Sequence, residues 1–365
     1  MIESLKKISP EIKILFRYRM VLNALSVVVP IHLVDQVKAL PGIVNQEKTQ
    51  IFSRPQLNMV ETFLTPQNSN SEKLGEITSV NFIGADKVHR RGLKGQGQKI
   101  GFIDTGVDYT HAMFGGLGTA EAYKAIDPSQ SNDKFPNQKV VNGIDLVGTS
   151  FNGNSEVFSE RVPRPDANPM DEAGHGTHVA GTVAGIGDGV HSYSGVAPEA
   201  TLYAIKVFGA RGSTTDEVVI AAMEWSADPN QDLDMKDQLD VVNLSLGSDY
   251  GTKHVMYSEA VENLSHGGTV VVAAAGNSGP QPSIVGSPSV SEEAISVAAS
   301  IDGMDHNWKF ASVRFDFESA PFVLAELVEG PASKKVSETG DVFGNIIYVG
   351  LANEDFSPEI LEKIK

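Results

Sequence analysis

Asp171-Glu172-Ala173-Gly174-His175-Gly176-Thr177-His178-Val179-Ala180-Gly181-Thr182 is the stretch from which the rest of the chain is read. Two histidines stand three residues apart among glycine, alanine and threonine, with no bulky side chain between them. Gly174 and Gly176 let backbone approach closely on both sides of His175. The small residues that follow, Ala180, Gly181, Ala184 and Gly185, suit a helix passing tightly through a core. An imidazole exposed at the start of such a helix, with packing behind it, is placed for general acid–base work. Taken alone, the stretch also admits a structural histidine. As a lesser alternative it admits a metal site in which His175 and His178 act with Asp171.

Outward from this stretch, apolar strands alternate with helices. Lys99-Ile100-Gly101-Phe102-Ile103-Asp104 is a short apolar run that ends in Asp104-Thr105-Gly106. Further strands are predicted at 201–207, 239–244 and 269–275, with another apolar run at 295–299. Between them, Thr214 and Glu217 form a capping-box pattern for a helix to about Ala227, and a second helix covers His254 to Ser265. Continuous apolar strands with helices between them predict an α/β fold, a doubly wound parallel sheet covered on both faces. In such sheets the site lies beyond the carboxyl ends of the strands. Asp104, Asn243-Leu244-Ser245-Leu246-Gly247 and Ala275-Gly276-Asn277 all fall there, and His175 opens a helix on the same rim. A carboxylate, an imidazole and a side-chain amide on one edge are three parts of an acyl-transfer site. Gly95-x-Gly97 resembles part of a dinucleotide fingerprint, but it precedes its strand where the fingerprint must follow one.

Residues 1–52 read as a separate, small α+β unit of about 50 residues, marginal on its own. A helix is predicted from Ser9-Pro10, a strand at Leu25 to Val29, a helix from Pro30 to Leu40 and a strand from Ile43 to Phe52. Residues 53–80 are polar and read as a linker. The chain of 365 residues carries 29 Lys and Arg against 46 Asp and Glu, a formal charge of −17 with no basic cluster, so no nucleic-acid partner is expected. It has no cysteine, which excludes thiolate catalysis and Cys-ligated zinc. No apolar run approaches the ~20 residues of a membrane span, and the N-terminus lacks the apolar region of a signal peptide.

Three blocks resemble the subtilisin family of serine proteases: Ile103 to Asp108, Gly174 to Gly181 and Ala273 to Asn277. They occur in the family's order over residues 81–310. The resemblance implies a serine endopeptidase acting on polypeptide through an acyl-enzyme. Asp104 would orient His175, His175 would be the general base and then the acid, and Asn277 would donate to the oxyanion. Ser245, Leu246 and Gly247 would pair with extended substrate and, with Ala274, Ala275 and Gly276, wall the first specificity pocket. Residues 1–52 resemble that family's inhibitory prodomain without its usual first strand, so the chain's own N-terminus is an expected intramolecular inhibitor. Secretion or a cell-surface location follows from the same resemblance. No cofactor is expected. Calcium is common in the family, but its usual acidic residue is not evident in His111-Ala112-Met113-Phe114, so no metal ligand is assigned.

The departure from the pattern is the nucleophile. The family's Gly-Thr-Ser block follows the oxyanion asparagine, and none follows Asn277. Gly148-Thr149-Ser150 lies between Asp104 and His175, and the Phe-Asn-Gly after it does not open a packed helix. Pro321 to Leu324, Asn345 to Gly350 and Ile360 to Lys365 resemble the opening of a protease-associated domain, which larger relatives insert before the serine. The reading is therefore a fragment with Asp, His and Asn but without Ser, its last unit spanning 311–365. Two alternatives stay open: a peptide-binding protein that does not cut, and a metal-dependent hydrolase using Asp171, His175 and His178.

Overall fold

The computed structural model describes residues 1–55, 79–189, 194–252, 256–279 and 281–300, and the backbone of 312–317 and 320–326. They fall into a unit of Met1–Met304 and another of Asp305–Lys365.

The first unit is built on six parallel strands: β4 (Lys99–Asp104), β5 (Val140–Asp145), β6 (Thr201–Lys206), β8 (Val241–Leu244), β9 (Val270–Ala274) and β10 (Ala294–Val297). Their order in the sheet is β10-β9-β8-β4-β6-β5. The chain builds to one side of β4 with β6 and β5 and to the other with β8, β9 and β10, so β4 lies at the topological switch point. Successive side chains on a strand face opposite ways, and the two sets enter different cores. Ile100, Phe102, Leu202 and Ala204 pack with Ala180 and Ala184 of helix α6 (His175–Ala184). Ile103, Ile205, Val242 and Leu244 pack with residues of α7 (Asp216–Ala227) and α8 (Met256–His266) on the other face. The sheet is doubly wound, as the continuous apolar runs predict.

Differences from the sequence reading have local causes. β5 was not predicted, because Val140-Val141-Asn142-Gly143-Ile144-Asp145 carries a turn-like Asn-Gly in its middle. Gly143 is there for space: a Cβ would run into the carbonyl oxygen of Ala204 on the neighbouring strand. Thr214 does not cap a helix. Thr214 and Thr215 form a short strand, β7, and α7 starts after them with no side-chain cap at Thr215.

In the N-terminal region the helix is α1 (Ile2–Ile8), ended at Ser9 in extended conformation, so Pro10 follows a helix instead of opening one. Lys13–Tyr18 is a strand, β1, antiparallel to β2 (Ala24–Val28), and a short helix α2 (Val34–Lys38) follows. Of the strand expected over 43–52, only Ile51–Phe52 (β3) enters a ladder, antiparallel to Thr214–Thr215. Short helices α3 (Ser79–Phe82), α4 (Ala85–His89) and α5 (Ala120–Lys124) complete the unit.

Leu5, Ile12 and Val37 make a small core of their own. Tyr18, Val21, Leu22 and Phe52 belong to the main core under α7 and α8. Glu224 on α7 accepts from the backbone N–H groups of Arg19, Met20 and Val21 in the β1–β2 turn. Asn263 on α8 donates to the Val21 carbonyl at 2.8 Å, and Glu47 accepts from the N–H of Met256 at the start of α8 at 3.0 Å.

In the second unit, β11 (Ser312–Phe317) and β12 (Ala320–Glu326) form an antiparallel pair that includes Pro321–Leu324. The stretches at 345–350 and 360–365 lie outside the described residues.

Candidate active site

Asp104 is the last residue of β4 and is fully buried. Nδ1 of His175 lies 2.8 and 3.0 Å from its two carboxylate oxygens, and the N–H of Thr105 donates to Oδ1 at 2.7 Å. The close approach needs both glycines beside the histidine. Gly174 takes a φ of +87°, and a Cβ on Gly176 would collide with the Gly106 carbonyl oxygen.

Behind this pair lies a second carboxylate that the sequence reading had considered only as a metal ligand. Asp171 is buried and accepts five hydrogen bonds: from Thr105 Oγ1, the N–H groups of Ala173, Gly174 and Thr177, and Thr177 Oγ1, at 2.6–2.9 Å. Thr105 Oγ1 in turn accepts from the N–H of Gly176 at 2.8 Å. Asp171 thereby closes the turn into α6 and satisfies N–H groups at the helix start that have no partner within the helix. The signal was present as an Asp three residues before the glycine that precedes His175, a side chain suited to capping its own loop.

The electrostatics follow from the burial. Burial works against a charged imidazole, but the hydrogen bond and charge of Asp104, with Asp171 behind, outweigh it, and His175 titrates above an ordinary histidine. Burial pushes the Asp104 carboxyl up, against the pull of His175 and the Thr105 N–H. The imidazole retains limited access to solvent, and among the described residues nothing hydrogen-bonds its Nε2.

The other expected residues are level with this pair. Phe102, Asn243 and Val272 are in register across β4, β8 and β9, so Asp104 and Ala274, which end their strands, and Ser245, which follows β8, lie two residues on at one height. Ala274 is two strand spacings from Asp104, ~10 Å. Ala275 donates to the Val297 carbonyl, Gly276 has a φ of +107°, and Asn277 follows, exposed. Leu246 is buried, and Ser245 Oγ accepts from Asn243 Nδ2 at 2.9 Å. Ser150 is exposed. His178 is exposed. Among the described residues no three His, Asp or Glu side chains gather to hold a metal, so no calcium ligands are assigned.

A buried cation also sits at this rim. Lys206 ends β6 with its Nζ 3.0 Å from Asp145 Oδ2 and 2.7 Å from Glu172 Oε2.

A doubly wound sheet with a buried Asp–His pair at its switch point defines a class. Residues 95–348 match the model of the subtilase family, and the chain belongs to that family of serine peptidases. Subtilisin DY of Bacillus licheniformis is 34% identical over 242 residues, which cover 66% of this chain and 69% of that protein. The minor extracellular protease Vpr of Bacillus subtilis is 35% identical over 254 residues, 69% of this chain but 25% of Vpr. Serine protease AprX of the same organism is 41% identical over 137 residues, 36% of this chain and 30% of AprX.

Proposed function

We propose that the protein acts on polypeptide by acyl-transfer chemistry, with Asp104 and His175 as its general-base pair and Asn277 as oxyanion donor. The observation that carries this is His175 Nδ1 at 2.8 Å from a fully buried carboxylate at the switch point of the sheet. Asp104 fixes the tautomer that leaves Nε2 free to take a proton, and it stabilises the imidazolium that results. Losing an oxyanion donor such as Asn277 costs ~10²–10³ in rate, a magnitude taken from subtilisin itself. Substrate runs extended along Ser245-Leu246-Gly247, with Ala274, Ala275 and Gly276 across from it as the other pocket wall. Secretion is part of the proposal, in keeping with the extracellular relative.

Residues 1–52 serve as the inhibitor. The pairing of Ile51 and Phe52 with Thr215 and Thr214 supports this, since it adds the N-terminal segment to the peptidase as a strand. The edge it occupies is Thr214–Thr215.

Among the described residues no serine hydrogen-bonds His175, and no Gly-Thr-Ser block follows Asn277 in the sequence. The chain as it stands therefore binds peptide and forms no acyl-enzyme. A fluorophosphonate probe tests this, with no stoichiometric labelling expected. Labelling mapped to Ser150 or Ser245 would overturn it.

A further inference from the structure

Three neighbouring strands end in ionisable residues that share one face of the sheet. Asp104 pairs Cα to Cα with Lys206, and Lys206 with Asp145. In a parallel ladder, partners in register project on the same side, ~4.8 Å apart from strand to strand. Lys206 thus stands between two aspartates, and its long side chain has the reach for either one.

Its ammonium goes to one side. Nζ is 3.0 Å from Asp145 Oδ2 and 2.7 Å from Glu172 Oε2, and the whole lysine is inaccessible to solvent. Both carboxylates are themselves held. Asp145 Oδ1 accepts from the N–H groups of Val147 and Gly148 at 2.8 and 2.7 Å, and Glu172 Oε2 also accepts from Thr149 Oγ1 at 3.1 Å. Burial alone would discharge the amine, but the two carboxylates outweigh it, and Lys206 stays charged.

We infer that Asp145 and Glu172 are positioning residues that keep Lys206 away from Asp104 and so reserve the Asp104 carboxylate for His175. A buried ammonium without partners is costly and turns to whatever carboxylate it can reach. In this row the remaining carboxylate is Asp104, whose two oxygens are both occupied by the imidazole. An ion pair between Lys206 and Asp104 would compete for those lone pairs and remove the counter-charge of the imidazolium. The inference rests on Asp104 and His175 forming the general-base pair.

The test reads the Nδ1 proton of His175 by NMR in the full chain, because a strongly hydrogen-bonded imidazole proton resonates far downfield and exchanges slowly. The carboxylates facing His175, Asp104 and Asp171, stay in place throughout. The wild type should show the resonance, and its loss in Asp104→Asn identifies the pair. If the wild type lacks the signal, the general-base reading itself fails. In Asp145→Asn/Glu172→Gln the signal should be lost to exchange or move upfield, and the His175 titration midpoint should fall. Adding Lys206→Met should restore the resonance. Removing two negative charges through space would also lower the midpoint, but it would leave the hydrogen-bonded proton in place. A double variant that keeps the downfield signal, or a triple variant that fails to regain it, overturns the inference. Should the double variant not fold, Glu172→Gln alone decides: faster exchange of the Nδ1 proton supports the inference, and an unchanged signal overturns it.

Discussion

One face of one sheet is finished very differently at its two ends. Under α6, the strands β4, β6 and β5 bury Phe102, Leu202, Ala204 and Val140 completely. On the same face beyond β8, Val270 is 44% exposed, Ile295 54% and Val297 49%. The register shows that these belong together: Ile295 pairs with Val272 and Val297 with Ala274, whereas the opposite-facing Val271 and Ala273 are buried under α8. The apolar pattern of β9 and β10 calls for cover on both faces, and the described residues supply it on one. The covered end carries Asp104 and His175, hydrogen-bonded to each other with the Asp104 carboxylate fully buried. The bare end carries the approach to Asn277 and the expected pocket wall.

The largest effect should come from the sealed end. Gly176→Val places side-chain atoms against the Gly106 carbonyl and Asp104, backbone and core with nowhere to move. It should cost more than ~3 kcal/mol or abolish folding, as read by urea denaturation. A mild effect would show that the glycine setting of His175 is not tight. Asp171→Ala comes next. It strands the donors of Thr105, Ala173, Gly174 and Thr177, at about 3 kcal/mol, and should speed amide exchange in the first turn of α6. Unchanged exchange there would remove Asp171 as the hub.

A third comparison uses pH. Burial, followed by the neighbouring Asp216, raises Glu217 from 4.5 to about 8. Across that window the folded chain holds a proton that the unfolded chain has released, so stability falls as pH rises. Glu217→Gln should raise the melting temperature at pH 8 and leave it unchanged at pH 4. Equal melting at pH 8 would show that the carboxyl is solvated under the N-terminal region. The smallest effect is predicted at the bare end. Val297→Lys should alter stability by no more than ~0.5 kcal/mol while reducing self-association on a sizing column. A loss of several kcal/mol would mean that this face is covered after all.

What could be read beforehand follows the same division. Strands β4, β6, β8 and β9 were legible because their runs are apolar along most of their length, and Asp104 and His175 because a terminal carboxylate and a glycine-framed imidazole fall at the rim. β5 was hidden by Asn142-Gly143, a turn signal that here answers a steric need. β1 was hidden by Pro10, which suits a helix start as well as the residue after a helix end. Thr214 reads as a cap, with Glu217, because local pattern cannot reveal an edge strand whose partner lies more than 160 residues earlier, at Ile51–Phe52. Lys206 was invisible for the same reason, as its partners converge only through the sheet and the turn before α6.

The N-terminal contacts also set a timetable. Tyr18 donates to the Glu217 carbonyl across 199 residues of sequence, and Asn263 reaches Val21 across 242. At a synthesis rate of about 5–20 residues per second, roughly 10–40 s separates the making of Tyr18 from that of its partner. For that interval Tyr18, Val21, Leu22 and Phe52 have no core to enter. This segment, made well before its partners, is among the last to find its place. The newborn polypeptide carries a waiting hydrophobic edge, and its yield in a cell should depend on how quickly α7 and α8 leave the ribosome.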